Sequence, residues 1–391
     1  MTSATTNALG AWTSAHDLPA AGTWDGQHDG AVLLADGTVL LAGGADAASA
    51  AVGRTARFHP DTGEWTATGA LHTARRLHTA TRLPDGKVLV AGGTNVATQF
   101  PPPGLSTAEV FDPAAGTWST TGAMHHARWG HSAVLLDDGT VLVAGGAAVR
   151  SGQSLGALRT AERYDPKTGT WTEVAPMTDA RTGHPAVVLD NGRVLVAGGG
   201  VPVSRTDEAA LAYCELYDPD ADAWTPTGTM LAPRTRHQAV LISATSVLVT
   251  GGSAPGPLGD GGFDPASRST AERYSQSTGA WTEAEAMPGG RGRHRAVPLG
   301  SGKALVVGGV DSVRNAAGFG SALVYDSGPD SWKPAAGLAT GRWAFAAVQL
   351  ADGTALVAGG TVASGLAAAD PDTVDLTART EIFDLNPAGT P

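Results

Sequence analysis

Arginines that recur at one position of a repeat are the residues of this sequence best suited to chemistry. A guanidinium group binds carboxylates and phosphates through a fixed fork of donors, so several of them around one centre would make an anion-binding site. Their spacing of 51 to 57 residues brings them together only in a fold with internal symmetry. They are Arg75, Arg128, Arg181, Arg234, Arg291 and Arg342. We predict that they bind ligand near a common axis.

A second interpretation gives these arginines a structural role. Glutamates recur in the same rhythm, and each could pair with the arginine of its own repeat: Glu109, Glu162, Glu215, Glu272 and Glu381. Histidines follow three residues after most of the arginines. A binding site needs only a few histidines, so one in nearly every repeat favours a structural role for them too. Both interpretations stay open at this point, so positions that break the repeat are the more informative ones.

Asp25 is the most prominent departure from the repeat. It takes the place of the arginine in the first repeat, in the run Trp24-Asp25-Gly26-Gln27-His28-Asp29. A carboxylate among arginines is held ionised and oriented, and it can act as a base or hold a cationic group. We therefore predict Asp25 as the acid or base of a site, with Trp24 as a ligand contact.

Additional arginines occur close to the repeated ones. Arg236 and Arg293 come two residues after them, which predicts the same strand face, and Arg76 comes one residue after. Extra cations in a chain of net charge −11 favour a carboxylate, phosphate or enolate ligand. In a catalytic site, Arg236 and Arg293 would stabilise the negative charge that develops on it.

Two tryptophans and one histidine complete the predicted site. Trp129 and Trp343 directly follow the repeated arginine, and they either line an aromatic pocket or pack between repeats. His126 stands beside His125, whose place in its repeat matches that of His72. We expect Trp129, Trp343 and His126 to contact ligand, and we expect no metal or other cofactor.

Three residue types repeat in phase along the sequence. Gly-Gly doublets end short aliphatic runs at seven places, from Gly43-Gly44 to Gly359-Gly360. A tryptophan series keeps the same interval: Trp12, Trp65, Trp118, Trp171, Trp224, Trp281 and Trp332. A third series of aromatic residues precedes the tryptophans: Phe58, Phe111, Tyr164, Tyr217, Tyr274 and Tyr325, with Phe383 in the last repeat.

One unit, residues 128–175, predicts four antiparallel strands. His131 to Leu136 alternates and leads through Asp138-Gly139 into an aliphatic second strand. A loop of variable length follows the Gly-Gly doublet, and then two strands flank a tight turn. Four such strands in about 50 residues are typical of a propeller blade. We label them a, b, c and d.

The motifs resemble the kelch repeat family. They are Arg-x-x-His, then Asp-Gly-x-Val-Leu-Val-Ala-Gly-Gly, then Ala-Glu-x-Tyr-Asp-Pro-x-Thr-Gly-x-Trp, and the resemblance covers about residues 11–387. It implies an all-β, seven-bladed propeller in one domain, residues 11–391, after a mobile N-terminal tail at residues 1–10. Kelch-like propellers include enzymes and protein-binding modules, so the resemblance does not decide the activity. The copper-radical oxidases of this fold need two tyrosines and a cysteine, and Tyr213 next to Cys214 cannot alone make that site.

The two ends of the sequence predict how the ring closes. The last repeat has no tryptophan after its third strand, whereas Trp12 has no repeat before it. We expect residues 11–19 to supply strand d of the seventh blade, because an open propeller would leave unpaired strand edges.

Loop lengths predict the functional face. The a–b and c–d turns are short and uniform, whereas the b–c connections vary from blade to blade. Variable loops on a rigid scaffold commonly carry binding sites. The b–c and d–a connections leave the blades at the same end, so we expect the site there, at the mouth of the central channel.

Composition excludes several classes of protein. One cysteine leaves no disulfide framework, and a cytoplasmic location is the expectation because the start shows no secretory signal. No apolar run is long enough to span a membrane. An acidic chain without a basic block favours neither nucleic acid nor a membrane surface as partner.

The sequence supports two functions. The first is a stand-alone propeller that binds an anionic or carbonyl-bearing small organic molecule at the mouth. If it is catalytic, the absence of redox and phosphate motifs favours a cofactor-independent lyase, isomerase or cyclase. The alternative is a non-catalytic platform whose partner is another protein.

Overall fold

A computed structural model describes residues 8–24, 30–96, 103–149, 155–203, 208–254, 267–311 and 316–387. Within these residues, strands form seven four-stranded antiparallel sheets, which are the blades, and three two-stranded hairpins. The innermost strands contact one another in a closed cycle, in which the first blade meets both the second and the seventh. The chain is therefore an all-β, seven-bladed propeller.

The strands of the first four blades follow the order predicted from the sequence. Blade 1 contains β2 (Val32–Leu33), β3 (Val39–Ala42), β4 (Thr55–His59) and β5 (Glu64–Thr68). Blade 2 contains β6 (Thr79–Arg82), β7 (Val88–Ala91), β8 (Ala108–Asp112) and β9 (Thr117–Thr120). Blade 3 contains β10 (Ser132–Leu135), β11 (Val141–Ala144), β14 (Ala161–Asp165) and β15 (Thr170–Val174). Blade 4 contains β16 (Ala186–Val188), β17 (Val194–Ala197), β20 (Cys214–Asp218) and β21 (Ala223–Pro226).

The last three blades include the N-terminal strand. Blade 5 contains β22 (Gln238–Ser243), β23 (Ser246–Thr250), β24 (Ala271–Ser275) and β25 (Ala280–Ala284). Blade 6 contains β26 (Arg295–Gly300), β27 (Lys303–Val307), β28 (Ala322–Asp326) and β29 (Ser331–Ala335). Blade 7 contains β30 (Ala346–Gln349), β31 (Ala355–Ala358), β34 (Thr380–Asp384) and β1 (Ala11–Ser14).

Three b–c connections carry an additional hairpin. The hairpins are β12 (Ala147–Val149) with β13 (Leu155–Ala157) in blade 3, β18 (Gly200–Pro202) with β19 (Glu208–Ala210) in blade 4, and β32 (Thr361–Ser364) with β33 (Val374–Leu376) in blade 7. A short 3-10 helix, Gly365–Ala367, follows β32. Among the described residues, no helix is long and apolar enough to cross a membrane.

The blades form because each second strand is apolar on both faces and each turn suits a tight hairpin. All four residues of β11 are buried between neighbouring blades, which explains the continuous aliphatic run. At its preceding turn, Asp138 Oδ1 accepts a hydrogen bond of 3.0 Å from Thr140 N, and Gly139 has φ of +85°. Positive φ is the reason that glycine follows the aspartate at this turn.

The tryptophans fasten each outer strand to the preceding blade. Trp171 stacks in a tilted geometry on Tyr164, with ring centroids 5.1 Å apart, and its Nε1 donates to Gly122 O at 2.8 Å. Trp12 makes the equivalent contacts in blade 7, with Phe383 at 5.1 Å and a bond to Ala336 O at 2.6 Å. The N-terminal strand is thus joined to its neighbours in the same way as the other outer strands.

Strand β1 lies at the edge of blade 7, antiparallel to β34, with Trp12 opposite Phe383. The chain is already fixed before this strand, because Leu9 N donates to Pro334 O at 2.9 Å and Leu9 O accepts from Ala336 N at 3.0 Å. Leu9 belongs to the segment that the sequence analysis assigned to a mobile tail. Its two bonds join the start of the described chain to blade 6.

Candidate functional site

The repeated arginines lie inside the blades. In blade 3, Arg128 Nη1 donates to the carbonyls of Gly145 at 2.8 Å and Thr160 at 2.9 Å, and Nη2 donates to Glu162 Oε1 at 2.7 Å. Both side chains are completely buried. A ligand could reach this guanidinium only by displacing the glutamate.

The same contacts recur around the ring. Buried arginine–glutamate pairs join Arg75 to Glu109, Arg128 to Glu162, Arg181 to Glu215, Arg234 to Glu272 and Arg342 to Glu381. Burial of Glu162 opposes its ionisation, but the charge of Arg128 and the amides of His125 and His126 outweigh it and lower the pKa of the carboxyl. These contacts favour the structural interpretation of the arginines over the ligand-binding one.

Blade 6 has the arginine without the glutamate, because Leu323 occupies that place. Arg291 still donates to the carbonyls of Gly308 and Ser321, at 3.0 and 3.2 Å. Burial lowers its pKa to about 10. Pro288 stands where the other blades donate an amide to the glutamate, and proline has no such amide to satisfy.

The repeated histidines are buried between blades. His131 Nε2 and Thr79 Oγ1 are 3.0 Å apart, and His184 Nε2 and Ser132 Oγ are also 3.0 Å apart. Burial, together with the charge of Arg75, lowers the pKa of His78 to about 3. A histidine with this pKa is neutral at physiological pH and is part of the blade interface.

The predicted equivalence of Asp25 to the repeated arginine is wrong. Gly360 N donates to Gly22 O at 2.8 Å, just as Gly93 N donates to Arg128 O in another blade pair, so Gly22 holds the arginine position. Ala31 follows Gly22 by nine residues, whereas Ala80 follows Arg75 by five, so blade 1 has four extra residues after this position. Asp25 itself falls outside the described residues, and its role as acid or base stays a prediction.

Arg236 and Arg293 do not lie on a strand face, which corrects a second expectation. Both precede their strands at a left-handed backbone position, with φ of 55° and 52°. The equivalent residues are Leu77, Gly130, Gly183 and Ala344, all with positive φ. A non-glycine residue at such an angle costs roughly 1 kcal/mol or more.

These left-handed residues, together with Trp24 of blade 1, form a girdle of backbone hydrogen bonds around the mouth. Each donates its amide to the carbonyl of the equivalent residue in the preceding blade. The links run Gly130 to Leu77, Gly183 to Gly130, Arg236 to Gly183, Arg293 to Arg236, Ala344 to Arg293 and Trp24 to Ala344, at 2.7 to 3.4 Å. Among the described residues, the seventh link, from Leu77 to Trp24, is missing. Trp24 O instead accepts from Arg295 Nη2 at 2.6 Å.

The missing link coincides with a cavity of about 160 Å³ at the rim of the mouth. Arg76 and Arg293 line it, together with Trp343, and these three were predicted as site residues. Trp343 is nevertheless 4% exposed and packs against Val310 and Ala344. Trp24 is 3% exposed and packs among Leu18, Leu41 and alanines of blade 7. Both ring systems are therefore mainly packing groups.

The other predicted residues are dispersed. Arg236 donates to Glu208 Oε1 at 3.0 Å, so β19 holds it at the inner edge of blade 4. Trp129 is half-buried and exchanges backbone hydrogen bonds with Ala147 at the start of β12. His126 Nε2 lies 2.8 Å from Glu173 Oε1, and both side chains are partly exposed. No group of three or more potential metal ligands occurs within the described ranges.

The central channel has features that the sequence analysis did not identify. An alanine stands at the same place of the innermost strand, or just before it, in every blade: Ala31, Ala80, Ala133, Ala186, Ala239, Ala296 and Ala347. Five of these alanines, all except Ala133 and Ala186, line a cavity of about 260 Å³, which Gln238 and Arg295 also line. Arg295 joins three blades, because its Nε also donates to Phe345 O at 2.6 Å. The alignment of repeats already contains this alanine column.

Exposed large apolar side chains concentrate on one face. We call the end of the blades with the b–c and d–a connections the loop face, and the opposite end the turn face. Of the six such side chains among the described residues, five lie on the loop face: Val149, Val203, Tyr213, Leu231 and Leu366. The sixth, Leu241, is on β22. Two of them, Tyr213 and Leu231, follow residues that are hydrogen-bonded to each other, Ala212 and Met230, and clustered exposed apolar side chains commonly mark an interaction site.

Comparison with known sequences agrees with this architecture. The sequence model of the KLHDC2/KLHL20/DRC7 Kelch-repeats domain matches residues 29–252, more than half of the chain. The chain belongs to the kelch-repeat family. Kelch-like protein 34 of Homo sapiens is 28% identical over half of this chain and 28% of its own length. Kelch-like protein terF of Aspergillus terreus is 27% identical over 58% of this chain and 47% of its own length.

This kelch chain therefore covers less than half the length of those relatives. Among solved structures, a fungal alcohol oxidase of the AA5 family, in complex with copper, matches with a TM-score of 0.72 at 20% identity, covering 96% of this chain and 76% of its own. YjhT matches with a TM-score of 0.56 at 15% identity, covering 77% and 93%. At these identities the likeness shows the kelch propeller fold alone.

Proposed function

We propose that this chain is a non-catalytic interaction module that binds a protein partner through its loop face. The observation that carries the proposal is the concentration of exposed apolar side chains on that face, among them Tyr213, Leu231 and Leu366. The kelch-like relatives support it as well, because this chain matches only a part of each longer protein, as a separate binding domain would.

The use of the repeated polar residues also supports the proposal. The arginine–glutamate pairs lie within single blades and the histidines lie between neighbouring blades, and both are buried, so they supply no reactive group at the surface. The rim cavity of about 160 Å³ is smaller than the roughly 300–1,000 Å³ of ordinary small-molecule sites. A single side chain from a partner would fit a cavity of this size.

Affinity capture with matched variants tests the proposal. The immobilised wild-type chain is exposed to an extract of its source cells, beside a loop-face variant that combines Val203→Asp, Leu231→Asp and Leu366→Asp, and a turn-face variant, Ala115→Asp. We expect a protein to be retained by the wild type and by Ala115→Asp but lost by the loop-face variant. Equal retention by all three chains, or none by any, would contradict a loop-face module.

A small-molecule function remains the second candidate, favoured by Arg76 and Arg293 at the rim cavity. In this proposal, an anionic or carbonyl-bearing organic ligand binds there, and a cofactor-independent lyase, isomerase or cyclase reaction would use Asp25 as acid or base. Native mass spectrometry of freshly purified protein tests it through a stoichiometric bound mass. Such a mass that persists unchanged in Arg76→Gln and Arg293→Gln would place the ligand elsewhere.

A further inference from the structure

Three residues at the junction of blades 4 and 5 break the repeat on the loop face. Tyr213 stands where blades 2, 3 and 5 have threonines whose hydroxyls accept from the repeated arginine. Leu231 stands where blades 2 and 3 have His72 and His125. Arg268 donates its amide to the second glycine of its doublet, a position that is apolar in most other blades: Val52, Leu105, Leu158, Leu211 and Phe319.

Hydrogen bonds to backbone carbonyls bring these three residues into one area. Met230 N donates to Ala212 O at 3.0 Å, and Arg234 N donates to Leu211 O at 3.0 Å. Residues 230–234 therefore run alongside residues 211–213. On their other side, Arg268 Nε donates to Pro233 O at 2.9 Å. Tyr213, Leu231, Pro233 and Arg268 thus form a continuous strip, which we call the 4–5 ledge.

The 4–5 ledge offers a large apolar surface to solvent. Tyr213 is 58% exposed and Leu231 is 64% exposed. Pro233, which lies between Leu231 and Arg268 on the ledge, is exposed too. Burying such side chains against a partner is worth about 25 cal/mol for each Å² of apolar surface. Tyrosine is also among the residue types that dominate the energetics of protein interfaces.

Arg268 gives the ledge a charged edge. Its Nε is fixed to Pro233 O, and among the described residues it forms no ion pair with a carboxylate. A guanidinium held by Nε still presents both terminal nitrogens, and this fork matches the two oxygens of a carboxylate. Because the side chain is already fixed, little conformational entropy remains to be lost on binding.

We infer that the 4–5 ledge binds a protein segment that carries an aspartate or glutamate next to a large apolar side chain. The carboxylate pairs with Arg268, and the apolar side chain covers Tyr213 and Leu231. The inference rests on the proposed function and adds the place on the loop face and the chemistry of the partner.

The test uses a displayed library of random peptides selected on the immobilised full chain. Enriched peptides are synthesised with a fluorophore, and their affinities are measured by anisotropy for the wild type and three variants. Arg268→Leu and Tyr213→Thr restore residues that other blades carry at these positions, so both are expected to fold. Leu366→Ser removes an exposed apolar side chain from blade 7 of the same face and is the matched control.

We expect the enriched peptides to share a carboxylate beside an apolar residue. Arg268→Leu and Tyr213→Thr should each weaken binding about tenfold or more, and Leu366→Ser should leave it unchanged. Replacing the peptide carboxylate with its amide should weaken binding to the wild type to a similar degree, but it should cost little against Arg268→Leu, because the two groups form one pair.

Other outcomes overturn the inference in distinguishable ways. Peptides that bind equally well to Arg268→Leu, or that lack a carboxylate, refute the 4–5 ledge. If such peptides lose affinity with Leu366→Ser, the loop-face module stands with another docking surface. If no selected peptide responds to any loop-face variant, both the ledge and the proposed function fail.

Discussion

Replacing a buried arginine by methionine in two different blades isolates the contribution of the buried carboxylate. In blade 3, Arg128 donates to the carbonyls of Gly145 and Thr160 and to the Thr160 hydroxyl. In blade 6, Arg291 donates to the same three kinds of acceptor, on Gly308 and Ser321. Arg128 also makes a longer bond from Nε to His126 O, at 3.3 Å, but the larger difference between the two environments is Glu162, which Leu323 replaces in blade 6.

The expected magnitudes follow from these contacts. Three lost hydrogen bonds at about 1 kcal/mol each give a common loss of about 3 kcal/mol. Arg128→Met additionally leaves Glu162 buried without its cation, and breaking a buried pair in this way costs about 3–5 kcal/mol. Arg291→Met strands no charge. The free energy of unfolding should therefore fall by about 3–5 kcal/mol more for Arg128→Met than for Arg291→Met.

Urea unfolding followed by tryptophan fluorescence measures this difference. The gap should narrow as the pH falls, because protonation of Glu162 removes the stranded charge in Arg128→Met. Equal losses at neutral pH, or a gap that does not change with pH, would refute the assignment of the pair as the source of the difference.

Three further outcomes are expected. Deleting residues 1–19 removes the four residues of β1 that pair with β34, together with the half-buried Trp12, whose loss costs less than the roughly 3–5 kcal/mol of a fully buried tryptophan. The melting temperature should therefore fall, and an unchanged value would contradict closure by this strand. Because the pKa of His78 is lowered to about 3 in the folded protein, the unfolded chain binds more protons below pH 6.5, and stability should fall by about 2 kcal/mol from pH 7 to pH 5 through this residue. In His78→Phe, this part of the pH dependence of the free energy of unfolding should be absent when urea unfolding is measured at each pH. At the girdle, Ala344→Gly should stabilise the protein by roughly 1 kcal/mol and Gly130→Ala should destabilise it, because both positions have positive φ; the same sign for the two would argue against strain.

The fold was predictable because the same pattern of residues occurs seven times along the sequence. The doublets, the tryptophans and the preceding aromatic residues each correspond to one structural contact, so agreement in phase fixed the number of blades. The stacking of Trp171 on Tyr164 and the hydrogen bond from its Nε1 explain why these two types recur together.

The residues at the mouth were harder to predict, because contacts between blades decide which residue of one blade is equivalent to which residue of the next. Sequence alignment alone matched Asp25 to the arginine, whereas the bond from Gly360 shows that Gly22 holds that place. The left-handed backbone of Arg236 and Arg293 had a signal in the sequence, since Gly130 and Gly183 occupy the same position in neighbouring blades.

The role of the arginines could not be decided from spacing. A glutamate that recurs at the same interval as an arginine fits both a buried ion pair and an open ligand site. Only the burial of the two side chains distinguishes these alternatives. Arg268, by contrast, could have been found in the sequence, because it breaks an apolar position shared by most blades. Its neighbours on the 4–5 ledge become clear only from the backbone contacts.

The girdle has an electrostatic consequence. In a helix, peptide dipoles point along one axis and add, which creates charged ends. In the girdle, the links follow one another around a circle, each amide directed at the carbonyl of the preceding blade, so their dipoles largely cancel and give the axis little field of its own. The potential at the mouth is then set mainly by the side chains that individual blades supply, and a kelch scaffold can change it one blade at a time without rebuilding the ring.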